Sequence, residues 1–208
     1  MRAQKNIFPN VPIMNRFVFG VAATLGTAAI AMCIVIVSGI VSVAADEPHS
    51  ALTYQILAFA RERSIKSHAN DIEVPKTFAD PDRVRRGAGN FEAMCANCHL
   101  SPEAGDSEIR KGLYPTPPNL SDKPQSPSPR DAIRDFWIIK HGIKASGMPA
   151  WSKGGMEDED IWDLAAFLQK IPSLSASTYR QLVAESDGHS HGGLGNSRHE
   201  TAHTPHHH

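Results

Sequence analysis

A five-residue segment near the middle of the chain, Cys95-Ala96-Asn97-Cys98-His99, combines residue types that can hold a cofactor. Two thiols three positions apart can each form a thioether with one vinyl group of a single porphyrin. The histidine that follows is then held beneath the iron, where its ring nitrogen becomes the proximal ligand. The motif therefore predicts one covalently attached haem c, with Cys95 and Cys98 as attachment points and His99 as an axial ligand.

Two other kinds of site use closely spaced cysteines, namely a redox-active disulfide and half of a zinc site. The body of the chain has no second C-x-x-C, and no His-x-x-x-His lies near the motif to complete a set of zinc ligands. A thioredoxin-like disulfide needs a strand–helix–strand context, whereas this motif ends a predicted helix in a sequence of helices and loops. Haem attachment is the favoured interpretation of the three.

A second axial ligand is expected from later in the chain, and Met148 is the best candidate. It lies in a glycine-containing loop, where the adjacent Pro149 restricts the backbone that directs the thioether. Methionine more often fills gaps in cores, but the order of helix, haem motif, loop and helix favours ligation here. The rivals are Met156, which borders the acidic start of a helix, and His141, which fits better as a cap at a helix end.

A small number of helices must position these residues. Apolar positions at helical spacing predict helices over residues 82–98, 130–141 and 157–170. Seven prolines between residues 100 and 129 predict an extended loop, and four glycines between residues 142 and 156 predict another. We therefore predict an all-α fold, in which a few helices and two long loops surround one haem.

An uncharged apolar run, residues 17–45, precedes the body of the chain. As a helix it would be about 43 Å long, which exceeds the roughly 30 Å core of a bilayer. Arg2, Lys5 and Arg16 come before it, so we expect a single-pass membrane anchor, with the N-terminus in the cytoplasm and the body exported. A cleaved signal peptide is the alternative, but the apolar run is about twice as long as the usual signal segment.

The predicted organisation has five parts. They are a basic N-terminus at 1–16, the anchor at 17–45, a helical connector at 46–80, a haem domain at 81–173 and a flexible His-rich tail at 174–208. In the connector, Ser50 could cap a helix that Pro75 ends at or before Val74. That helix is either a spacer packed on the body or an interfacial helix lying on lipid. The tail is either merely flexible or a binding segment for a divalent metal ion.

Overall charge and cysteine content exclude two classes of protein. Lys and Arg number 21 and Asp and Glu number 22, a formal net charge of -1, so no global positive field is available to hold nucleic acid. Three cysteines are too few for a disulfide scaffold.

Residues 80–173 resemble a class I cytochrome c domain. Besides the C-x-x-C-H motif, Gly87 and Phe91 stand eight and four residues before Cys95. In the family, these positions pack against an aromatic residue of the C-terminal helix, and Leu164 and Phe167 occupy the matching places in this chain. The resemblance therefore implies that the helix before the motif crosses the last helix of the domain.

Two loops extend the resemblance. Gly147-Met148-Pro149-Ala150-Trp151 resembles the distal-methionine loop of bacterial members, and residues 114–120 resemble the proline segment that lies against the proximal histidine. By that resemblance, the carbonyl of Pro117 or Pro118 accepts a hydrogen bond from the His99 ring, with Pro118 as our candidate. Such a bond fixes the tautomer of the ligand and tunes the iron.

The whole is similar to small membrane-anchored bacterial monohaem cytochromes, and this resemblance implies an anchor in the bacterial inner membrane with the haem domain in the periplasm. This implies an electron carrier or cytochrome subunit rather than an enzyme, which passes single electrons from a quinol-oxidising complex or periplasmic dehydrogenase to a terminal oxidase or reductase. The alternatives are a haem peroxidase or reductase in which Met148 dissociates, and a metal or redox sensor that uses the tail. Basic residues near the haem edge would steer redox partner proteins. Candidates are Lys140, Lys144 and Lys153, with Arg110 and Lys111 as weaker ones.

Overall fold

A computed structural model describes residues 13–122 and 128–187 of the chain. Within these two ranges every regular element is helical and there is no strand, which confirms the predicted all-α fold. The α-helices are α1 (Ile13–Ser38), α2 (Ala51–Ala69), α3 (Pro81–Met94), α4 (Ala96–His99), α5 (Glu108–Gly112), α6 (Pro129–His141), α7 (Asp158–Leu168) and α8 (Ala176–Glu185), with 3-10 turns at Trp151–Gly154 and Ile171–Ser173.

The chain divides into two compact units, Met1–Glu47 and Pro48–His208. In the first unit, α1 contains a 24-residue stretch, Asn15–Ser38, that is long and apolar enough to cross a membrane. The helix ends at Ser38 rather than continuing through the apolar run to residue 45, because Gly39 turns the backbone to a φ of +64°. The predicted helical anchor is thus shorter at its C-terminal end than the apolar run.

The connector helix α2 belongs to the second unit and packs against α6. Ser50 caps it by accepting a hydrogen bond from the Thr53 amide at 3.2 Å, as predicted. Ile65 is buried in its last third, and Glu62 forms a two-pronged ion pair with Arg134 of α6, at 3.1 and 3.2 Å from Nη2. Burial alone would raise the pKa of Glu62, but hydrogen bonds and charge from Arg134, and then from Arg61, outweigh burial and lower it.

The core of the second unit lies where α3 crosses α7. Phe91 and Phe167 are both fully buried, with ring centroids 5.3 Å apart, which confirms the contact expected between these helices. Gly87 allows the crossing to be close, because a Cβ there would come within 2.2 Å of the Asp163 carbonyl oxygen and 2.7 Å of the Phe167 Cβ. The absence of a side chain at Gly87 therefore fixes the distance between the two helices.

A buried charge cluster lies beside this crossing. The Asp163 carboxylate is almost completely buried and receives Arg83 Nη1 at 2.8 Å and Arg86 Nη2 at 3.1 Å. Arg83 also reaches Glu159 one turn earlier on α7. A buried carboxylate is tolerated only when it is paired and hydrogen-bonded, so the two arginines of α3 compensate Asp163 and bind α3 to α7.

Two loop predictions are wrong in part. The proline-rich stretch 100–129 contains α5, because no proline stands between Pro102 and Pro115 and Ser107 caps the turn by accepting from the Arg110 amide. The predicted flexible tail from residue 174 begins instead with α8, which Ser175 caps. Its Tyr179 is buried against Phe91 and Phe167, so tertiary packing orders this segment.

Several predictions fall outside the described residues. These concern the basic residues Arg2 and Lys5, and the tail histidines His189, His191, His199, His203, His206, His207 and His208.

Replacement of Gly87 by alanine should destabilise the second unit. Although alanine favours helix by about 0.5–1 kcal/mol, its Cβ would meet the backbone of α7, which cannot rotate away as a flexible side chain could. We expect a net loss of about 1–3 kcal/mol in the free energy of unfolding, measured by denaturant titration with tryptophan fluorescence.

Gly112→Ala is the matched control, since a Cβ at this helical glycine meets nothing within 4 Å. Equal stabilities of the two variants would show that the contact at Gly87 does not set the helix crossing.

Candidate haem-binding site

The C-x-x-C-H motif consists of Cys95, which ends α3, and the single turn of α4 that follows it. Cys95 ends α3, where its amide donates to the Phe91 carbonyl at 2.8 Å, and its own carbonyl accepts from the Cys98 and His99 amides at 3.0 and 2.8 Å. All three motif side chains, Cys95, Cys98 and His99, are half-buried. One backbone turn thus presents both thiols and the imidazole at the edge of the core, where one cofactor can meet them.

The His99 imidazole is oriented by the proline segment. Its Nδ1 lies 2.9 Å from the carbonyl oxygen of Pro118, 19 residues later in the chain. Because a carbonyl can only accept, Nδ1 carries the hydrogen in this contact, and Nε2 keeps its lone pair for a metal. The Leu120 amide also donates to the His99 carbonyl at 3.0 Å. The histidine is therefore held through both its ring and its backbone.

Helix α5 connects the proline segment to the motif. Arg110 Nε donates to the Pro117 carbonyl at 2.9 Å, and Asp106 binds the same guanidinium at 2.7 Å. The hydrogen bond and positive charge of Arg110 lower the pKa of the Asp106 carboxyl, against a smaller opposing effect of desolvation. At the other end of α5, the Ser107 hydroxyl donates to the Asn97 carbonyl within the motif. Of the two prolines considered, Pro117 thus accepts from Arg110 and Pro118 from His99.

Sequence reasoning considered Arg110 only as a surface charge and missed its positioning role. A local signal was present, because Ser107 is a good helix N-cap and Asp106 stands four residues before Arg110 in the longest proline-free part of the loop.

The loop that carries Met148 is closed by its own hydrogen bonds. The Ile143 amide donates to the Met148 carbonyl at 3.1 Å. Ser146 Oγ donates to the Ile143 carbonyl at 2.7 Å and accepts from the Met148 amide at 3.2 Å. The Met148 side chain is half-buried and packs against the hydrophobic core. The loop thus holds the backbone on both sides of this methionine.

Two glycines permit this loop to form. Gly142 ends α6 with a φ of +65°, and a Cβ there would come within 2.6 Å of the Pro149 carbonyl carbon. Gly147 lies so close to Leu113 that a Cβ would meet its Cδ2 at 2.7 Å. Since Leu113 directly follows α5, the methionine loop and the segment leading to the proximal prolines are in contact.

Met156 and His141, the two rivals of Met148 as axial ligand, lie in different surroundings from Met148. Met156 is buried in the core, with only 3% of its surface exposed. His141 is exposed, and its ring lies 5.0 Å from that of Trp137 on the preceding turn of α6. Burial, and then the positive charge of Lys140, lowers the pKa of His141, while Asp158 opposes the shift. These surroundings give no support to either residue as an axial ligand.

The chemistry of the donor set fits haem. Cys95 packs against the core, where burial raises the pKa of its thiol to about 12, with a smaller contribution from Cys98. Reactive redox cysteines instead need an easily formed thiolate. Within residues 13–122 and 128–187, no group of three or more His, Cys, Asp or Glu side chains could hold a metal ion. The half-buried apolar residues that pack against the same hydrophobic core as Cys95 include Met94, Ala96, Ile133, Met148 and Trp151.

Comparison with known proteins agrees with this site. A family model described as cytochrome C oxidase, cbb3-type, subunit III matches residues 82–168, from the start of α3 to the end of α7. No curated protein matches the chain, and no solved structure does either. The matched residues contain the C-x-x-C-H turn, the proline segment and the methionine loop. Residues 82–168 therefore match a class I c-type cytochrome domain, and such a domain implies a covalently bound haem c and haem-based electron transfer.

Proposed function

We propose that this chain is a membrane-anchored periplasmic monohaem cytochrome that carries single electrons, with His99 and Met148 as the axial ligands of the iron. The observation that carries the proposal is the hydrogen bond from His99 Nδ1 to the Pro118 carbonyl, on the turn that presents Cys95 and Cys98. A bound haem c supplies the one-electron couple between ferric and ferrous iron.

The residues of the chain supply attachment and orientation. Cys95 and Cys98 hold the macrocycle, Pro118 keeps the hydrogen on Nδ1 of His99, and the Ile143–Met148 hydrogen bond holds the methionine loop. Methionine ligation raises the reduction potential, and two protein ligands leave no open position for a substrate. This arrangement supports an electron carrier over a peroxidase or reductase.

The N-terminal part of the chain supports the proposed location. Helix α1 is long and apolar enough to cross a membrane, and the basic residues before the apolar run 17–45 favour an orientation with the haem domain in the periplasm. The donor is a quinol-oxidising complex or a periplasmic dehydrogenase, and the acceptor is a terminal oxidase or reductase. Both are redox proteins that dock at an exposed haem edge.

Replacement of Met148 by leucine tests the distal ligand. We expect the oxidised full chain to lose its weak long-wavelength sulfur-to-iron absorption band, and the reduced chain to bind CO, because leucine has no donor atom. The reduction potential should fall by a fraction of the roughly 0.8 V range that axial ligands span.

Met156→Leu is the control for this test, because Met156 is a core residue that should leave the band unchanged. Loss of the band in Met156→Leu instead would indicate that Met156, and not Met148, is the distal ligand. CO binding by the unchanged protein would favour the enzyme alternative.

Replacement of Arg110 by alanine tests positioning of the proximal ligand. Without the bond from Arg110 to Pro117, the neighbouring Pro118 carbonyl should hold His99 Nδ1 less well, which makes the imidazole a poorer donor and destabilises ferric iron. A hydrogen bond worth about 1 kcal/mol corresponds to roughly 40 mV for a one-electron couple, so the potential should rise by up to that amount.

Lys111→Ala is the control for this measurement. It also removes one positive charge, from the exposed residue that follows Arg110 in α5. Equal potentials in the two variants would mean that Arg110 does not act through His99.

Charge reversal at Lys144 tests steering at the haem edge. Lys144 and Lys153 are exposed, whereas Lys140 is paired with Asp158 at 2.6 Å. For a reductant that passes about 10 Å from the residue, Lys144→Glu should slow reduction by ascorbate anion about fourfold at low salt. The effect should disappear at about 1 M salt, where the Debye length is about 3 Å.

Lys170→Glu carries the same change of charge on an exposed residue after α7 and should have a smaller effect. Stopped-flow absorbance measures both rates. Slowing that is independent of ionic strength would contradict a steering role.

A further inference from the structure

The first half of α2 exposes large apolar side chains. Leu52 is 68% exposed, Ile56 is 57% and Phe59 is 70%, while Tyr54 and Leu57 on other faces of the same turns are 44% and 52% exposed. The body covers only the second half of the helix, where Ile65 and Ala69 are buried. Soluble monomers rarely expose so many neighbouring large apolar groups, and such patches mark interaction sites.

One face of α2 is apolar at its start and basic at its end. At 100° per residue, Leu52, Ile56, Phe59, Arg63 and Lys66 fall within an arc of about 80°. This set is called the α2 stripe. All five residues are exposed, and the arc lies about 120° around the helix from Ile65 and Ala69. The contact with α6 therefore leaves the whole stripe uncovered.

The start of α2 is held firmly on the body. The His49 amide donates to the Tyr114 hydroxyl at 3.0 Å, and the two rings meet edge to face at 5.3 Å. The Glu62–Arg134 pair holds the next turns. The stripe is thus a feature of a fixed helix rather than of a frayed end, and whatever covers it meets a preformed surface.

We propose that the α2 stripe lies on the surface of an anionic bilayer, with Leu52, Ile56 and Phe59 among the acyl chains and Arg63 and Lys66 at phosphate headgroups. This inference rests on the membrane anchoring proposed for α1. Residues 39–50 separate α1 from α2, and they span at most about 40 Å when extended. Apolar groups beside lysine and arginine are the pattern of interfacial helices.

Alkylation of single cysteines tests the proposal. Cys33, the one cysteine outside the haem motif, is replaced by serine, and the haem-carrying full chain is placed in lipid nanodiscs at one copy per disc. Ile56→Cys or Phe59→Cys then serves as the reporter. A charged, membrane-impermeant maleimide reacts with each, and mass spectrometry gives the rate relative to the denatured chain. Ala184→Cys, an exposed small residue of α8, and Ser64→Cys, exposed on another face of α2, are the controls.

We expect both reporters in the stripe to react about tenfold or more slowly than the controls in discs of phosphatidylcholine with phosphatidylglycerol. In the anionic discs, the double variant Arg63→Gln/Lys66→Gln should weaken this protection about fivefold for each basic residue removed. In discs of phosphatidylcholine alone, the same variant should leave the protection unchanged.

Equal rates at reporters and controls would overturn the proposal. Protection that occurs only with two copies per disc would also overturn it and assign the stripe to a contact between copies of this chain. Failure of the chain to enter discs would instead refute the anchoring of α1, and the lipid contact of α2 with it, so the two failures are distinguishable.

Discussion

The close approach of α3 to α7 at Gly87 is the contact on which the rest of the haem domain depends. With no Cβ at this position, the Asp163 carbonyl and the Phe167 Cβ can lie directly against the α3 backbone. Phe91 then fits against Phe167, and Tyr179 of α8 closes the same cluster. Cys95 stands one turn after Phe91 and bonds to its carbonyl, so the crossing also sets where the haem attachment turn begins.

Hydrogen bonds between distant segments give the site its shape. On the proximal side, the Ser107 hydroxyl connects α5 to the motif and Arg110 connects it to Pro117. On the other side, Ser146 and Ile143 hold the backbone of Met148. Each of these bonds gives a backbone carbonyl a hydrogen-bond donor within the protein, so that the carbonyl does not depend on water. A loop-rich site can therefore keep the fixed ligand geometry that fast electron transfer needs.

Helix α2 has two faces with different surroundings. One face meets α6 through Ile65 and the Glu62–Arg134 pair, and the α2 stripe faces away from the body. If the stripe rests on lipid, the contact of His49 with Tyr114 would also orient the haem domain relative to the bilayer. Tyr114 begins the proline segment beside His99, so that segment would be held near the same end of α2.

The sequence by itself determined the features that depend on neighbouring residues. The C-x-x-C-H turn, the apolar run at the N-terminus and the capped helices α2, α6 and α7 follow from spacing, hydropathy and end signals within a few residues. These local patterns were sufficient to predict an all-α haem protein, because each needs only one turn or one helix to form.

Only the tertiary structure decided the rest. It chose Pro118 over Pro117 as the partner of His99, gave Arg110 an internal role and ordered α8 in a segment expected to be flexible. These outcomes depend on contacts between residues far apart in the chain, such as Tyr179 with Phe91. Ligation by Met148 stays a prediction, although its loop is well defined. Such contacts leave little trace in a local pattern, because their free energy comes from surfaces that meet only in the folded chain.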